Sequence, residues 1–502
     1  MFLFSGSLST RRKKRVDTQE RSAWEALLEK VGQGLMVRTD SRSVQPGEVF
    51  VAVPGAAVDG ARFIPDALAR GAGYVVTAEP AEALPEEHRA KHVPHSRPAL
   101  ALGDLAAAFF HTKNLKLRLV GVTGTNGKTT TAYLLEHLLT AGGLKTGLMG
   151  TVAYRWPGFS LDARLTTPDC WTLHELLANM ERSEVDAAVM EVSSHALDQH
   201  RVAGLRFDAA VFTNLSQDHL DYHHDMETYF RAKARLFTEC PAPDKLAVIN
   251  YDDPAGRRLL DMLPGAVGYG LTPAPDGVAA LRGEILRHSV AGMTLRMTWG
   301  GRSWDLDTHL VGAHNAQNLL AAQAAALGLG LPQRELRKLA DFTGVPGRLE
   351  RVVNPFGLDI FVDYAHTPDA LDKVQTALRE LNPARLITVF GCGGNRDRAK
   401  RPLMAASVAK HADVAILTSD NPRHEPPLKI IEDAAPGLAG CPETHIEPDR
   451  AAALALAARL MQPGDVLLIA GKGHETYQQI GDERRHFNDV EVMSQALEEN
   501  RR

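Results

Sequence analysis

The 502-residue chain lacks most of what would suit it to the cell exterior, a membrane or nucleic acid. Its four cysteines, Cys170, Cys240, Cys392 and Cys441, lie far apart and form no CxxC pair. That spacing neither staples a small secreted scaffold nor spells a zinc site, and it suits a reducing cytoplasm. No apolar run approaches the about 18 residues of a membrane span, so no membrane insertion is expected. Lys and Arg total 56 against 61 Asp and Glu. The resulting formal charge of −5 leaves no basic footprint for nucleic acid.

Internal repeats and low-complexity segments are also missing. The N-terminal MFLFSGSLSTRRKKR sets a short apolar start before its basic run, the reverse of a secretory leader. Residues 1–22 therefore read as a flexible, solvated tail. A hydrophobic content of 44% with 23% charged residues is a globular composition. The length suits roughly three or four domains.

What is present is a strand-then-polar-turn pattern in three blocks. Residues 23–112 hold GEVFVAV and YVVT as strands, with ARFIPDALARGA and PALALGDLAAAFFHT as helices. Residues 113–344 open on LRLVGVTG, a β-branched apolar run that reads as a buried parallel strand. DAAVMEVSS, DAAVFTNLS and KLAVINYDD repeat the pattern, residues 280–311 alternate like antiparallel strands, and the helix NAQNLLAAQAAALGL leads to VPGRLE. Residues 345–502 repeat it again in FVDYAHTPDAL, RLITVFGCGG, DVAILTSDNPR and DVLLIAGKGHE. An α/β fold is expected, with function at the carboxyl ends of its strands.

GVTGTNGKTT (121–130) carries the strongest chemistry. A strand, a glycine turn and Gly-Lys-Thr at a helix start make an anion cradle. Backbone N–H groups face phosphates, Lys128 neutralises charge, and Thr129 can reach Mg²⁺. Val122 departs from the usual pattern, which has a small residue there. Phosphoryl transfer also needs metal ligands. MEVSSH puts Glu191 at one strand end, and TNLSQDHLDYH puts Asn214, Asp218, His219 and Asp221 at another. Each alone is compatible with a helix cap or polar loop; together, beside a phosphate loop, they point to a metal-assisted centre. Residue chemistry alone reads Lys233, in YFRAKARLF, as an ordinary surface lysine.

TGTNGKTT, MEVSSHALDQHR, TNLSQDHLDYH, YFRAKARLF, HNAQN, PGRLE, DYAHTPDAL, GCGGNRDRAKRP, SDNPR and GKGHE occur in that order. From about residue 39 to the C-terminus the chain resembles the Mur ligase family. The resemblance implies three domains: an N-terminal UDP-sugar-binding domain, a central P-loop ATPase and a C-terminal Rossmann-like domain. It implies a cytoplasmic, monomeric ligase in which ATP phosphorylates the D-glutamate carboxylate of UDP-MurNAc-L-Ala-D-Glu and an amine then attacks the acyl phosphate.

Residue by residue, the resemblance assigns Gly124, Thr125, Asn126, Gly127, Lys128, Thr129 and Thr130 to ATP, with Asn315, Arg348 and Asp363. Thr129 and Glu191 would hold one Mg²⁺ and His219 a second, near Lys233 as a carbamate. Thr39, Ser41, Ala56, Ala57 and Val58 would hold the UDP part. Thr166, Thr167, Ser193, Gln199 and Arg201 would hold the sugar-peptide, although TTP alone reads as a turn and QHR as a polar loop. Arg396, Asp420, Asn421, Pro422, Arg423, Gly471 and Glu475 would hold the incoming amino acid. In the family DNPR marks the members that add meso-diaminopimelate, and lysine-adding relatives usually depart from it, so meso-diaminopimelate is expected, with L-lysine or another diamino acid as the alternative. An Arg fork suits a carboxylate at the far end of such a substrate. The competing expectations are another amide ligase on this scaffold, of the folylpolyglutamate type or a neighbouring Mur enzyme, and a P-loop switch that moves domains without joining substrates.

Overall fold

The computed structural model describes residues 23–55 and 58–500. The tail at 1–22 lies outside these residues, as do Ala56 and Ala57. Three main sheets follow one another along the chain. The first has four parallel strands in sequence order, Val37–Arg38, Val49–Val51, Tyr74–Thr77 and His92–Pro94.

The second sheet has eleven strands and a parallel centre. Arg118–Thr123 lies between Ala187–Glu191 and Phe207–Phe212, parallel to both. These strands are almost continuously buried, because helices cover both faces and each side chain meets a core. One cover is the pair Lys128–Ala141 and Ala313–Gly328, which pack together. Ala321, Ala322, Ala324, Ala325 and Ala326 of the second helix are all buried, so it is enclosed on nearly every side.

The expected antiparallel run at 280–311 is present as Ala280–Ser289, Gly292–Trp299 and Arg302–Thr308. It extends the central sheet rather than forming a separate one, and its first strand pairs parallel with Val267–Gly270. The opposite edge ends in a hairpin that sequence reasoning missed, Ala153–Trp156 with Phe159–Asp162. Two four-residue strands are too short for their alternation to stand out.

The third sheet runs Glu350–Arg351, Asp359–Asp363, Val466–Ala470, Leu386–Cys392, Val414–Ser419 and Glu443–Ile446, parallel except for its first pair. DYAHT, GKGHE, GCGGNRDR and SDNPR therefore all leave the same sheet edge. Arg450 and Asp489 form a fully buried, two-pronged ion pair beneath that edge, with Nη2 donating to Asp489 Oδ2 at 2.7 Å and Nε to Oδ1 at 2.8 Å. Nη2 also donates to Ala470 O at 3.0 Å, at the strand end that precedes GKGHE. Loss of either partner leaves an uncompensated buried charge, an effect of about 3–5 kcal/mol.

The first two domains meet where helix Cys170–Arg182 packs against Pro98–Phe109. His174 is buried there; its Nε2 donates to Ala203 O at 2.9 Å and its Nδ1 accepts from the Thr112 hydroxyl. Burial pushes its pKa down to about 4, so the ring is neutral at pH 7. All four cysteines are free. No helix among the described residues is long and apolar enough to cross a membrane.

Candidate active site

A cleft of about 1150 Å³ lies between the second and third domains. Its floor is the loop that follows strand Arg118–Thr123. Gly124 (φ 151°) and Gly127 (φ 83°) turn this loop tightly. A Cβ on Gly124 would sit 1.9 Å from Thr213 Oγ1, and one on Gly127 would sit 2.3 Å from Asn318 Oδ1. Both glycines are thus fixed by crowding as well as by backbone angle. Val122, the departure from the usual pattern, is simply part of the buried strand.

The neighbouring strand end braces the loop. Thr125 N–H donates to Asn214 O at 2.9 Å, and Asn126 N–H donates to Asn214 Oδ1 at 2.9 Å. Lys128 opens the following helix and bends back, its Nζ donating to Gly124 O at 3.0 Å and Thr125 O at 2.8 Å. Burial lowers its pKa, opposed mainly by the nearby Glu191 carboxylate.

Glu191, on the other flanking strand, is buried. Its Oε2 accepts from Thr129 Oγ1 at 3.0 Å and from Thr151 Oγ1 at 3.2 Å; its Oε1 accepts from Thr151 N–H at 2.8 Å. From this carboxylate a polar chain leads outward. Thr167 Oγ1 donates to Glu191 O at 2.9 Å, Ser193 N–H donates to Thr167 Oγ1 at 3.0 Å, and Arg201 Nη1 donates to Thr167 O at 3.1 Å. Gln199 Oε1 accepts from Arg201 Nη2 at 2.7 Å. The residues expected for the sugar-peptide are therefore one connected group, of which Thr166 lines the cleft. Thr166 and Thr151 hydroxyls lie 3.1 Å apart.

Lys233 corrects the surface-lysine reading made from residue chemistry. It is 1% exposed, donates from Nζ to Gly124 O at 2.7 Å, and lies 4.5 Å from the Tyr229 ring centre. Burial, with Lys128 nearby, pushes its pKa well down, and Asp218 opposes this. His219 lines the cleft beside Asp218, Nε2 to Oδ2 3.3 Å apart, and burial lowers its pKa as well.

Asn315 and Asn318 face the cleft from one side of the alanine-rich helix, linked by Asn318 Nδ2 donating to Asn315 Oδ1 at 3.1 Å. Arg348, in the connection to the third domain, reaches back to the phosphate loop, Nη2 donating to Thr129 Oγ1 at 3.4 Å. Its guanidinium lies 5.0 Å from the Tyr364 ring centre. Asp363 accepts from Leu349 N–H and Ala365 N–H, each at 2.8 Å, and burial raises its pKa.

Arg396, Asp420, Asn421, Arg423, Gly471 and Glu475 line the cleft from the third domain. Asn421 Nδ2 donates to Glu475 Oε2 at 2.7 Å, which joins the DNPR and GKGHE turns. Pro422 is buried. Arg423 has φ 51°, and its Nη1 donates to Gly394 O at 2.8 Å.

Thr39, Ser41 and Val58 do not line this cleft. They follow two adjacent parallel strands of the first sheet, with Thr39 and Val58 exposed and Ser41 buried. Sequence reasoning missed Thr151 and Asn318, which both line the cleft. Asn318 carried a signal, since it lies three residues beyond Asn315 and shares its helix face; Thr151 carried none.

Family profiles match the chain in three consecutive stretches: "Mur ligase family, catalytic domain" over residues 35–110, "Mur ligase middle domain" over 122–326, and "Mur ligase, glutamate ligase domain" over 347–473. The chain is 52% identical over 478 residues to the UDP-N-acetylmuramoyl-L-alanyl-D-glutamate–2,6-diaminopimelate ligase of Lawsonia intracellularis, covering 95% of this chain and 98% of that one. It is 47% identical to the Synechococcus elongatus protein of the same name, covering 92% and 94%. A solved structure of a ligase with this name superposes with a TM-score of 0.67 at 34% identity, covering 93% of this chain and 95% of that one.

Proposed function

The chain belongs to the Mur ligase family, and from that premise we infer that it is an ATP-dependent carbon–nitrogen ligase that adds meso-diaminopimelate to UDP-MurNAc-L-Ala-D-Glu. The observation that carries this reading is the meeting of a phosphate cradle and the DNPR–GKGHE turns in one cleft. A carboxylate is a poor acyl donor, so a phosphate leaving group is installed first. Lys128 and the loop N–H groups other than those of Thr125 and Asn126, which Asn214 takes, hold the transferring phosphate, where preorganised donors stabilise developing charge.

Among the described residues no group of three or more His, Cys, Asp and Glu side chains forms a metal cage. The donor set fits Mg²⁺, which keeps several waters and is commonly held by one or two carboxylates plus phosphate oxygens. Thr129 and Glu191 would hold one ion; His219 and a carbamate on Lys233 would hold a second. Such ions would offset phosphate charge.

Thr166, Thr167, Ser193, Gln199 and Arg201 orient the sugar-peptide, with the UDP end reaching Thr39, Ser41, Ala56, Ala57 and Val58. Asn315, Arg348 and Asp363 hold the nucleotide from its other side. Arg396, Asp420, Asn421, Pro422, Arg423, Gly471 and Glu475 present the amine. An ¹⁸O label in the D-glutamate carboxylate is expected to appear in the released phosphate, one atom per turnover. Unlabelled phosphate would reject the acyl-phosphate route.

The depressed pKa of Lys233 favours the free amine, the form that adds CO₂ to give a carbamate and a proton. Turnover is expected to fall in CO₂-stripped buffer and to recover with bicarbonate. Equal rates in both buffers would remove this role from Lys233.

A further inference from the structure

Lys472 is the second residue of GKGHE and is completely buried. Burying an ammonium is costly unless its protons find acceptors. All three do: Nζ donates to Asn421 Oδ1 at 3.2 Å, to Glu475 Oε2 at 3.1 Å and to Tyr477 O. Two of these acceptors belong to residues that face the proposed amino-acid pocket. The third begins the hairpin Tyr477–Ile480 and Glu483–His486, which is pinned to the DNPR turn by Arg423 N–H donating to Gln479 O at 3.0 Å.

The donor pattern fixes which way each group points. Asn421 Oδ1 accepts from Lys472 and also from Gln479 N–H at 2.9 Å, so its NH₂ must face away from both. That NH₂ donates to Glu475 Oε2. Lys472 donates to the same oxygen, so Oε2 is taken twice and neither bond uses Oε1. Removing the ammonium would leave the Asn421 oxygen held by Gln479 N–H alone and Glu475 without its buried counter-charge.

We propose that Lys472 is a positioning and specificity-determining residue for the incoming diamino acid, orienting Asn421 and Glu475 so that Glu475 Oε1 receives a substrate ammonium. This rests on the reading that the third-domain pocket takes diaminopimelate. Lys472 itself does not touch the substrate; it acts through the other two side chains.

The test compares Lys472→Met, Glu475→Gln and the double variant in the full-length enzyme. KM is measured for meso-diaminopimelate, for 2-aminopimelate (which lacks the second amine) and for ATP. Lys472→Met should raise KM for meso-diaminopimelate by about 10- to 100-fold, the range for losing a charged hydrogen bond. KM for ATP and saturated kcat should stay near parental values, and the preference over 2-aminopimelate should shrink. In the Glu475→Gln background the same change should have a much smaller effect, because the two residues act together. Additive effects, unchanged diaminopimelate KM, or loss of ATP binding in Lys472→Met would each overturn the inference. The last would make Lys472 a general structural support. A parent enzyme that ignores diaminopimelate would instead overturn the substrate reading, before any variant is compared.

Discussion

Lys128→Met is expected to cut kcat/KM for ATP by roughly 10³-fold, with the melting temperature nearly unchanged. The side chain enters the phosphate loop from the first turn of its helix, and Nζ is held against Gly124 O and Thr125 O. Methionine keeps the apolar stem and deletes only the cation. The loop has other supports: Asn214 takes the Thr125 and Asn126 N–H groups, and Thr213 Oγ1 donates to Asn126 O at 2.6 Å. Its shape should therefore survive the change. What disappears is a positive charge placed before the reaction begins. Steady-state kinetics with a thermal melt on the same preparation checks both halves. Near-parental turnover would show that the cleft holds the transferring phosphate elsewhere.

Arg423→Ala is expected to lower kcat/KM for meso-diaminopimelate by about 2–5 kcal/mol, the range for truncating one partner of a buried charge pair. Arg423 projects from an unusually constrained backbone. Its φ of 51° is in the left-handed region, its N–H donates to Gln479 O, and its carbonyl accepts from Gly481 N–H at 2.6 Å. A non-glycine residue held there stores strain, which is common where a side chain must be presented in one direction. Glycine would relieve that strain, so Arg423→Gly should be at least as stable as the parent yet as impaired with diaminopimelate as Arg423→Ala. Arg423→Lys should recover little, because a point charge cannot pair with both carboxylate oxygens as the fork does. Diaminopimelate kinetics left unchanged in the alanine variant would sink the role given to this residue.

The parts of the site that could be read in the sequence are those written in a single stretch of chain. The phosphate loop is one: strand, glycines, lysine and helix start are contiguous, and each has a local backbone reason. Glu191 and Asn214 were also legible as strand-end residues, although only the sheet order puts them on either side of Arg118–Thr123. Lys233 was not legible. Its amphipathic helix promised solvent, while its actual partner, Gly124 O, is 109 residues away. Lys472 failed for the same reason, since a lysine between two glycines reads as exposed until Asn421, 51 residues earlier, closes over it. The antiparallel strands at 280–311 were visible by their alternation, but not their fusion to the central sheet. That depends on Val267–Gly270 accepting a parallel neighbour, which no local pattern encodes.

Phosphate release from ATP by the purified protein decides whether its ATP use is tied to joining an amine to the sugar-peptide. It would be measured with UDP-MurNAc-L-Ala-D-Glu and either meso-diaminopimelate, L-lysine or no amine, with product mass read from each reaction. Sustained turnover and a tripeptide mass are expected with diaminopimelate, and neither with lysine nor without amine. A lysine product at comparable rate would contradict the reading of DNPR. Turnover indifferent to every amine would contradict the ligase itself.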